Sequence, residues 1–419
     1  MYALIDCNNF YVSCERIFNP HLENKPVIVL SNNDGCVIAR SNETKSIGIK
    51  MGEPAFKIKD KIYKNNIITF STNFALYGNI SNRVINTVSS FNCNMEIYSI
   101  DEVFIDLSTF KRDDLLEFCL KIKKRIKKWT GIPVSIGISK TKTLAKAANY
   151  IAKKNHNGTG VFLIDESNIS NTLNKISVSN VWGIGRKNNQ FLIYNNIKTA
   201  NDLSKTDLLW IRKYMTIRGE KTVRELRGIS CIPLEQLYSS KKSICTSRTF
   251  GKMVTKQKDL IESIAMYVAR CAEKLRIQNS YANFAHIFIS SNSFRNDLPQ
   301  YACSKIIKFP IPISDTGEML VYIIPIVEKI FKKGYLYKKA GVVLTGIVSN
   351  TVIQKNLFED CKIKNKEKLL NKIDSINRKM GRDTVRYAIQ GYNKSWILKQ
   401  QKLSPCYTTR WSDLLSVKL

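Results

Sequence analysis

Apolar positions along this chain fall into short unbroken runs that alternate with longer stripes of helical spacing. Tyr2-Ala3-Leu4-Ile5-Asp6 is an apolar run closed by an acid, the pattern of a buried strand. Next, Phe10, Tyr11, Cys14 and Ile17 or Phe18 recur at helical intervals, and Asn19-Pro20 supplies a stop. Residues 26–31 form a second buried-strand run, Asn32-Asn33-Asp34-Gly35 is a turn signal, and 36–40 predicts another strand. Residues 95–100 and 103–107 predict two more strands, separated by Asp101 and Glu102. A basic-flanked helix is predicted over 113–129, a strand over 132–138 and a helix over 141–153. This alternation predicts an α+β, ferredoxin-like core up to about residue 165.

Residues 166–235 read as short-looped helices. Beyond them come a strand at 243–254, a long amphipathic helix at 259–278, and strands at 283–290 and 340–348 flanking a Pro-containing segment. These predict a separate α+β domain. After about residue 350 the chain is Lys/Asn-rich, then helical, and ends in a polar tail with Trp411 and Leu414-Leu415. There is no internal repeat and no low-complexity tract.

Charge changes the picture. The 419 residues carry 66 Lys+Arg against 34 Asp+Glu, a formal net charge of +32, while 44% hydrophobic content leaves ample material for cores. An AT-rich coding genome inflates Lys, but it does not by itself suppress Asp and Glu, so a polyanion such as nucleic acid is the expected partner. Eleven cysteines are scattered without the C-x₂₋₄-C spacing of a zinc site, and only three His are present, which fits free thiols in a reducing cytoplasm. The start of the chain lacks a signal pattern, and no apolar run approaches the ~20 residues of a membrane span, so a cytoplasmic protein without membrane association is expected.

Two adjacent acids, Asp101 and Glu102, at the junction of two apolar runs are poor core material, and Asp6 closes a third. Acids at strand ends are common in ordinary proteins. In a basic chain these three suggest a divalent-metal site, because phosphoryl transfer needs cations clamping the attacking and leaving oxygens. Mg²⁺, two ions per site, suits Asp6, Asp101 and Glu102, with the Cys7 backbone carbonyl as a further ligand where the chain turns. Arg40, Lys45 and Lys153 are candidate phosphate partners, although each lysine taken alone reads first as a solvated surface charge. No G-x-x-x-x-G-K-[ST] pattern occurs, which argues against a P-loop ATPase. Gly183-Ile184-Gly185, followed by Arg186 and Lys187, has the form of a helix-hairpin-helix clamp on DNA backbone, or of a plain tight turn between helices. Gln354-Lys355-Asn356-Leu357-Phe358 places an apolar pair in a charged linker, as peptides that dock in partner grooves do.

These residues sit within motifs that resemble the Y-family of translesion DNA polymerases, in its UmuC-type branch. The segments are 6–15 (DCNNFYVSCE), 30–40 (LSNNDGCVIAR), Tyr98-Ser99-Ile100-Asp101-Glu102, 137–146 (GISKTKTLAK) and 404–411 (SPCYTTRW). The resemblance spans essentially the whole chain. It implies a right-hand polymerase with a ferredoxin-like palm over 1–165 and small fingers inserted at about 31–74. A helical thumb over 166–238, carrying the helix-hairpin-helix, and an α+β little finger over 239–350 would follow. The remainder, 351–419, would hold a clamp-binding peptide and a UmuC-type C-terminal extension. It also implies catalytic metal ligands at Asp6, Asp101 and Glu102, a steric gate at Tyr11, a triphosphate contact at Lys153, and clamp binding through Gln354, Leu357 and Phe358. Many family members have a Tyr and an Arg for the triphosphate where this chain has Asn42 and Lys45, so a point charge replaces a bidentate fork. Primer-template DNA, dNTP, a sliding clamp, a UmuD-type partner and RecA filaments are the implied partners, in DNA repair and the SOS response. A metal-dependent nuclease and a non-catalytic DNA-binding protein on the same fold are the rival expectations.

Overall fold

A computed structural model describes residues 1–155, 158–235, 240–350, 363–392 and 394–414, and divides the chain into two units. The first comprises residues 1–238 with 401–419, and the second residues 239–400.

In the first unit the chain runs β1 (Tyr2–Cys7), α1 (Phe10–Phe18), β2 (Val27–Leu30), β3 (Val37–Arg40), α2 (Asn42–Ser46), α3 (Lys59–Lys64) and β4 (Ile68–Ser71). It continues through α4 (Phe74–Ser89), β5 (Met95–Ile97), β6 (Glu102–Asp106), α5 (Asp114–Thr130), β7 (Val134–Ser139), α6 (Lys142–Lys154) and β8 (Val161–Leu163). Strand β1 lies at the centre of a five-stranded sheet ordered β5-β6-β1-β7-β8, antiparallel to both β6 and β7. That position explains its unbroken apolar sequence, since helices cover both faces. Ala3, Ile5 and Cys7 pack with α1, α4 and α5, whereas Leu4 packs with Phe104 and Ala145 toward α6. A three-stranded sheet ordered β3-β2-β4 has a small core of its own around Ile28, Leu30, Val37, Ile49 and Ile58. Three short helices, α7 (Ile169–Asn174), α8 (Arg186–Tyr194) and α9 (Ala200–Lys205), and the longer α10 (Leu208–Leu226) pack around Leu173, Leu192, Leu203 and Val223.

The second unit holds β9 (Ile244–Val254), α11 (Gln257–Ile277), β10 (Ser280–Ser291), β11 (Ala302–Ile313), α12 (Thr316–Ile330), β12 (Tyr337–Ser349) and α13 (Ile363–Met380). Its antiparallel sheet is ordered β11-β10-β12-β9. The Pro-containing segment proves to be β11 and α12. Pro310 and Pro312 cannot donate ladder hydrogen bonds, and β11 is an edge strand, where that loss is tolerated. Residues after 350 are shared between the units. Arg276 of α11 holds Asp374 of α13 at 2.6 and 2.8 Å, and Trp396 is buried among Phe250 and Tyr267. The stretch from 401 onward joins the first unit. The ten described cysteines are free thiols. No described helix is long and apolar enough to cross a membrane.

Candidate active site

The antiparallel register of β1 and β6 sets Asp6 directly opposite Glu102. Cys7 N donates to Asp101 O at 2.9 Å, so the turn before β6 is tied to the end of β1. Asp6 and a pair of acids from about a hundred positions later are thus brought to the same end of neighbouring strands. Asp6 is 8% exposed. Burial raises its carboxyl to a pKa of about 7 against the pull of Lys153, and the negative charges of Glu102 and Asp101 add to the rise. Asp101 Oδ1 accepts a hydrogen bond from Ser99 Oγ at 2.6 Å.

Helix α6 supplies the counter-charges. Its N-cap Thr141 accepts from Leu144 N, and Leu144, Ala145, Ala148 and Ala152 form its buried side. Along the same helix Lys142, Lys146 and Lys153 recur at near-helical spacing, and each meets a carboxylate of a different strand. Lys142 pairs with Glu96 of β5. Lys146 pairs with Glu102 of β6 at 2.8 Å, and Lys153 with Asp6 of β1 at 2.6 Å. Between them Asn149 donates to Ser135 O at 2.8 Å. Lys146 also lies over the Tyr98 ring at 4.5 Å. The sequence reading gave Lys146 no role, although the i, i+4, i+11 stripe of lysines was visible in the sequence.

The cationic side is built from the turn after β3 and from α2. Arg40 donates to Ile49 O, while its Nε is buried with no partner among the described residues. Lys45 Nζ donates to Asn9 Oδ1 at 2.6 Å and to Asn42 Oδ1 at 3.1 Å. Asn9 is in the left-handed conformation at φ 48°, which Asn tolerates better than most residues, and this turn carries β1 into α1. Burial lowers the Lys45 pKa, and the charges of Arg40 and Lys153 lower it further, so Arg40, Lys45 and Lys153 belong to one electropositive neighbourhood. Asn42 was left out of the sequence-derived set, yet it accepts hydrogen bonds from both Asn9 and Lys45.

Tyr11, half-buried on α1, stacks on Tyr77 of α4 with ring centroids 4.6 Å apart and an interplanar angle of 16°, and meets Phe74 edge-on at 6.1 Å. Burial, with Asp101 nearby, raises the pKa of its hydroxyl. Gly183 takes φ 88°, a backbone a side chain rarely adopts, and Gly185 caps α8, leaving Arg186 and Lys187 exposed on its first turn. Trp182, just before, donates through Nε1 to Tyr98 Oη at 3.1 Å.

Among the described residues no three His, Cys, Asp or Glu side chains are gathered closely enough to hold a metal ion. The carboxylates are turned toward Lys153, Lys146 and Ser99. The donor types nevertheless suit a hard divalent cation: all are carboxylate oxygens borne at one end of β1 and β6, and Asp6 is buried enough that negative charge there is costly. Gln354, Leu357 and Phe358 lie outside the described residues.

Comparison with known proteins places these features. The impB/mucB/samB family model matches residues 5–150, and the model of that family's C-terminal domain matches 241–357. A domain of unknown function, DUF4113, matches 367–417. Protein UmuC of Salmonella typhimurium is 42% identical, with both chains covered completely. Protein MucB of Escherichia coli is 36% identical over 99% of each chain. DNA polymerase IV of Clostridium acetobutylicum is 26% identical over 84% of this chain and 86% of its own. Among solved structures, a Y-family DNA polymerase chimera of Dbh and Dpo4 aligns with a TM-score of 0.67 at 21% identity, over 83% of this chain and 99% of its own. An insertion ternary complex of Dbh DNA polymerase aligns over the same shares with a TM-score of 0.55 at 21% identity.

Proposed function

This chain belongs to the impB/mucB/samB family, the UmuC-like members of the Y-family, and we infer from that premise that it is a template-directed DNA polymerase of translesion synthesis. It transfers a nucleotide from a dNTP to a primer 3′-hydroxyl. The observation that carries the assignment of the site is the register that sets Asp6 opposite Glu102, with Asp101 on the adjoining turn and a cationic neighbourhood beside them.

The fold is that of a right-hand polymerase. The five-stranded sheet is its palm, 31–74 its fingers, 166–238 its thumb and 239–350 its little finger. Y-family polymerases are metal-dependent. Asp6, Asp101, Glu102 and the Cys7 carbonyl would hold the metal, and we propose two Mg²⁺ ions, which suit oxygen ligands and phosphate. When bound, such ions neutralise the charge that develops on the attacking and leaving oxygens. The protein's own groups position the substrates. Arg40, Lys45 and Lys153, which form one electropositive neighbourhood, face the triphosphate. Tyr11 packs beneath the sugar, where its ring excludes a 2′-hydroxyl. The backbone N–H groups at Gly183 and Gly185, with Arg186 and Lys187, hold DNA phosphates without reading sequence.

Family membership also supports a UmuD-type partner subunit. A sliding clamp bound through Gln354, Leu357 and Phe358, and RecA filaments, are further proposed partners. Loss of clamp-stimulated synthesis in a Leu357→Ala, Phe358→Ala variant would support the clamp contact.

Primer extension by the full-length protein tests the site. Asp101→Asn and Glu102→Ala should each abolish extension while leaving DNA affinity, read by fluorescence anisotropy, near that of the parent. A chelator should stop the parent and added Mg²⁺ restore it. Extension retained by either variant would remove that residue from the site.

A further inference from the structure

The C-terminal stretch returns to the three-stranded sheet of the first unit. Leu403 forms a parallel bridge with Ser71 at the end of β4, an edge strand. Ser71 N donates to Lys402 O at 2.9 Å, and Lys402 N donates to Ser71 Oγ at 3.0 Å. Beyond the bridge the strap turns inward. Asn73 Nδ2 donates to Ser404 O at 2.9 Å and to Ser404 Oγ at 3.1 Å, and the Tyr407 ring stacks on Phe18 at 4.6 Å.

The deepest contact is made by the Ser404 hydroxyl, which donates to Glu15 Oε1 at 2.9 Å. The Tyr77 hydroxyl donates to the same oxygen at 2.6 Å. Ser404, Glu15 and Tyr77 are 6%, 2% and 0% exposed. The face of the Tyr77 ring is the platform on which Tyr11 stacks. An unbroken series of contacts therefore runs from the tail to Tyr11, and none of its members takes part in the chemistry.

A carboxyl buried among apolar groups costs free energy unless it is bonded, and Leu or Phe would fill this core without that cost. What the polar series adds is direction. A hydrogen bond at the Tyr77 hydroxyl fixes where the far end of the ring sits, and so the position of the face it offers. A steric barrier to a 2′-oxygen depends on where the Tyr11 ring sits, and one face of that ring rests on Tyr77.

We propose that Ser404 is a positioning residue for sugar selection: the C-terminal strap holds Glu15, Glu15 holds Tyr77, and Tyr77 sets the ring of Tyr11. The proposal rests on Tyr11 being the group that rejects ribonucleotides. It gives part of the segment matched to a domain of unknown function a task at the nucleotide site.

The test is single-nucleotide insertion with matched dNTP and rNTP, using the full-length chain. Ser404→Ala and Tyr77→Phe should each raise the ribo-to-deoxy ratio of kcat/KM by roughly three- to tenfold, the scale of one lost hydrogen bond. Their double variant should go little further, because both act through one oxygen of Glu15. Ser404→Thr, which keeps the hydroxyl, should restore the parental ratio. Tyr11→Ala should raise the ratio far more. An unchanged ratio in both Ser404→Ala and Tyr77→Phe, beside an effective Tyr11→Ala, would overturn the inference and leave Tyr11 as the gate. An unchanged ratio in Tyr11→Ala would remove the gate itself, and the proposal with it. Should Ser404→Ala not fold, Tyr77→Phe, which keeps the ring, decides the matter: a lowered melting temperature with no shift in the ratio marks the contact as structural only.

Discussion

Glu15 and Asp6 are buried carboxyls of the first unit with different companions. Asp6 has an ammonium at 2.6 Å and two acids nearby, whereas Glu15 has only hydroxyls at hydrogen-bond distance. Burial therefore holds Glu15 above its ordinary value of 4.5, although the Tyr77 and Ser404 hydrogen bonds pull it down. The folded chain keeps this proton to higher pH than the unfolded chain does. The stability linked to it is complete below 4.5 and is lost as pH rises through the raised folded value. Melting temperature should decline across that window, and Glu15→Gln, which cannot titrate, should flatten the decline. An equal slope in the Gln variant would assign it to another group. Sequence alone offered little here: Glu15 is one acid in a helical stripe, and its partner Ser404 lies 389 positions away.

At the scale of elements, the contact between α6 and the central sheet decides the site. A Cβ at Gly137 of β7 would stand 2.1 Å from Asn149 N and 2.2 Å from Ala145 O, so only Gly lets the helix lie this close. Those neighbours are backbone and cannot turn aside. Gly137→Ala should push α6 away from β7, costing at least the ~1–3 kcal/mol of an overpacked core. It should also carry Lys146 and Lys153 away from Glu102 and Asp6. Denaturant unfolding and primer extension should therefore fall together. Full activity with unchanged stability would show that α6 can be displaced without consequence. The periodicity of this helix and the strand before it were readable from the chain. The closeness of the two was not, because a glycine in a strand run marks equally a bulge or a near neighbour.

For the molecule as a whole, the formal net charge is +32. If the excess serves DNA, affinity should fall steeply with salt, by about 10³–10⁵ between 50 and 200 mM for ~6–10 phosphate contacts. A flat response in a filter or anisotropy titration would reduce the charge to codon bias. Two acids on neighbouring strands and a basic surface also suit a nuclease, and it is the full-length match to UmuC and the polymerase fold that point to synthesis.

Periodicity and the placement of acids at strand ends are local properties, so the chain by itself determined where most strands and helices lie and marked Asp6, Asp101 and Glu102 as the candidate acids. The β11–α12 pair, whose pattern is broken by proline, escaped that reading because an edge strand tolerates residues that local pattern disfavours; α4 was legible in the spacing of Leu76, Ile80, Val84 and Val88 and was passed over. The register that faces Asp6 with Glu102, the lysines that answer them, and the return of Ser404 to Glu15 were settled only by tertiary structure. Each joins residues distant along the backbone, and nothing in a local run of side chains encodes which distant run it will meet.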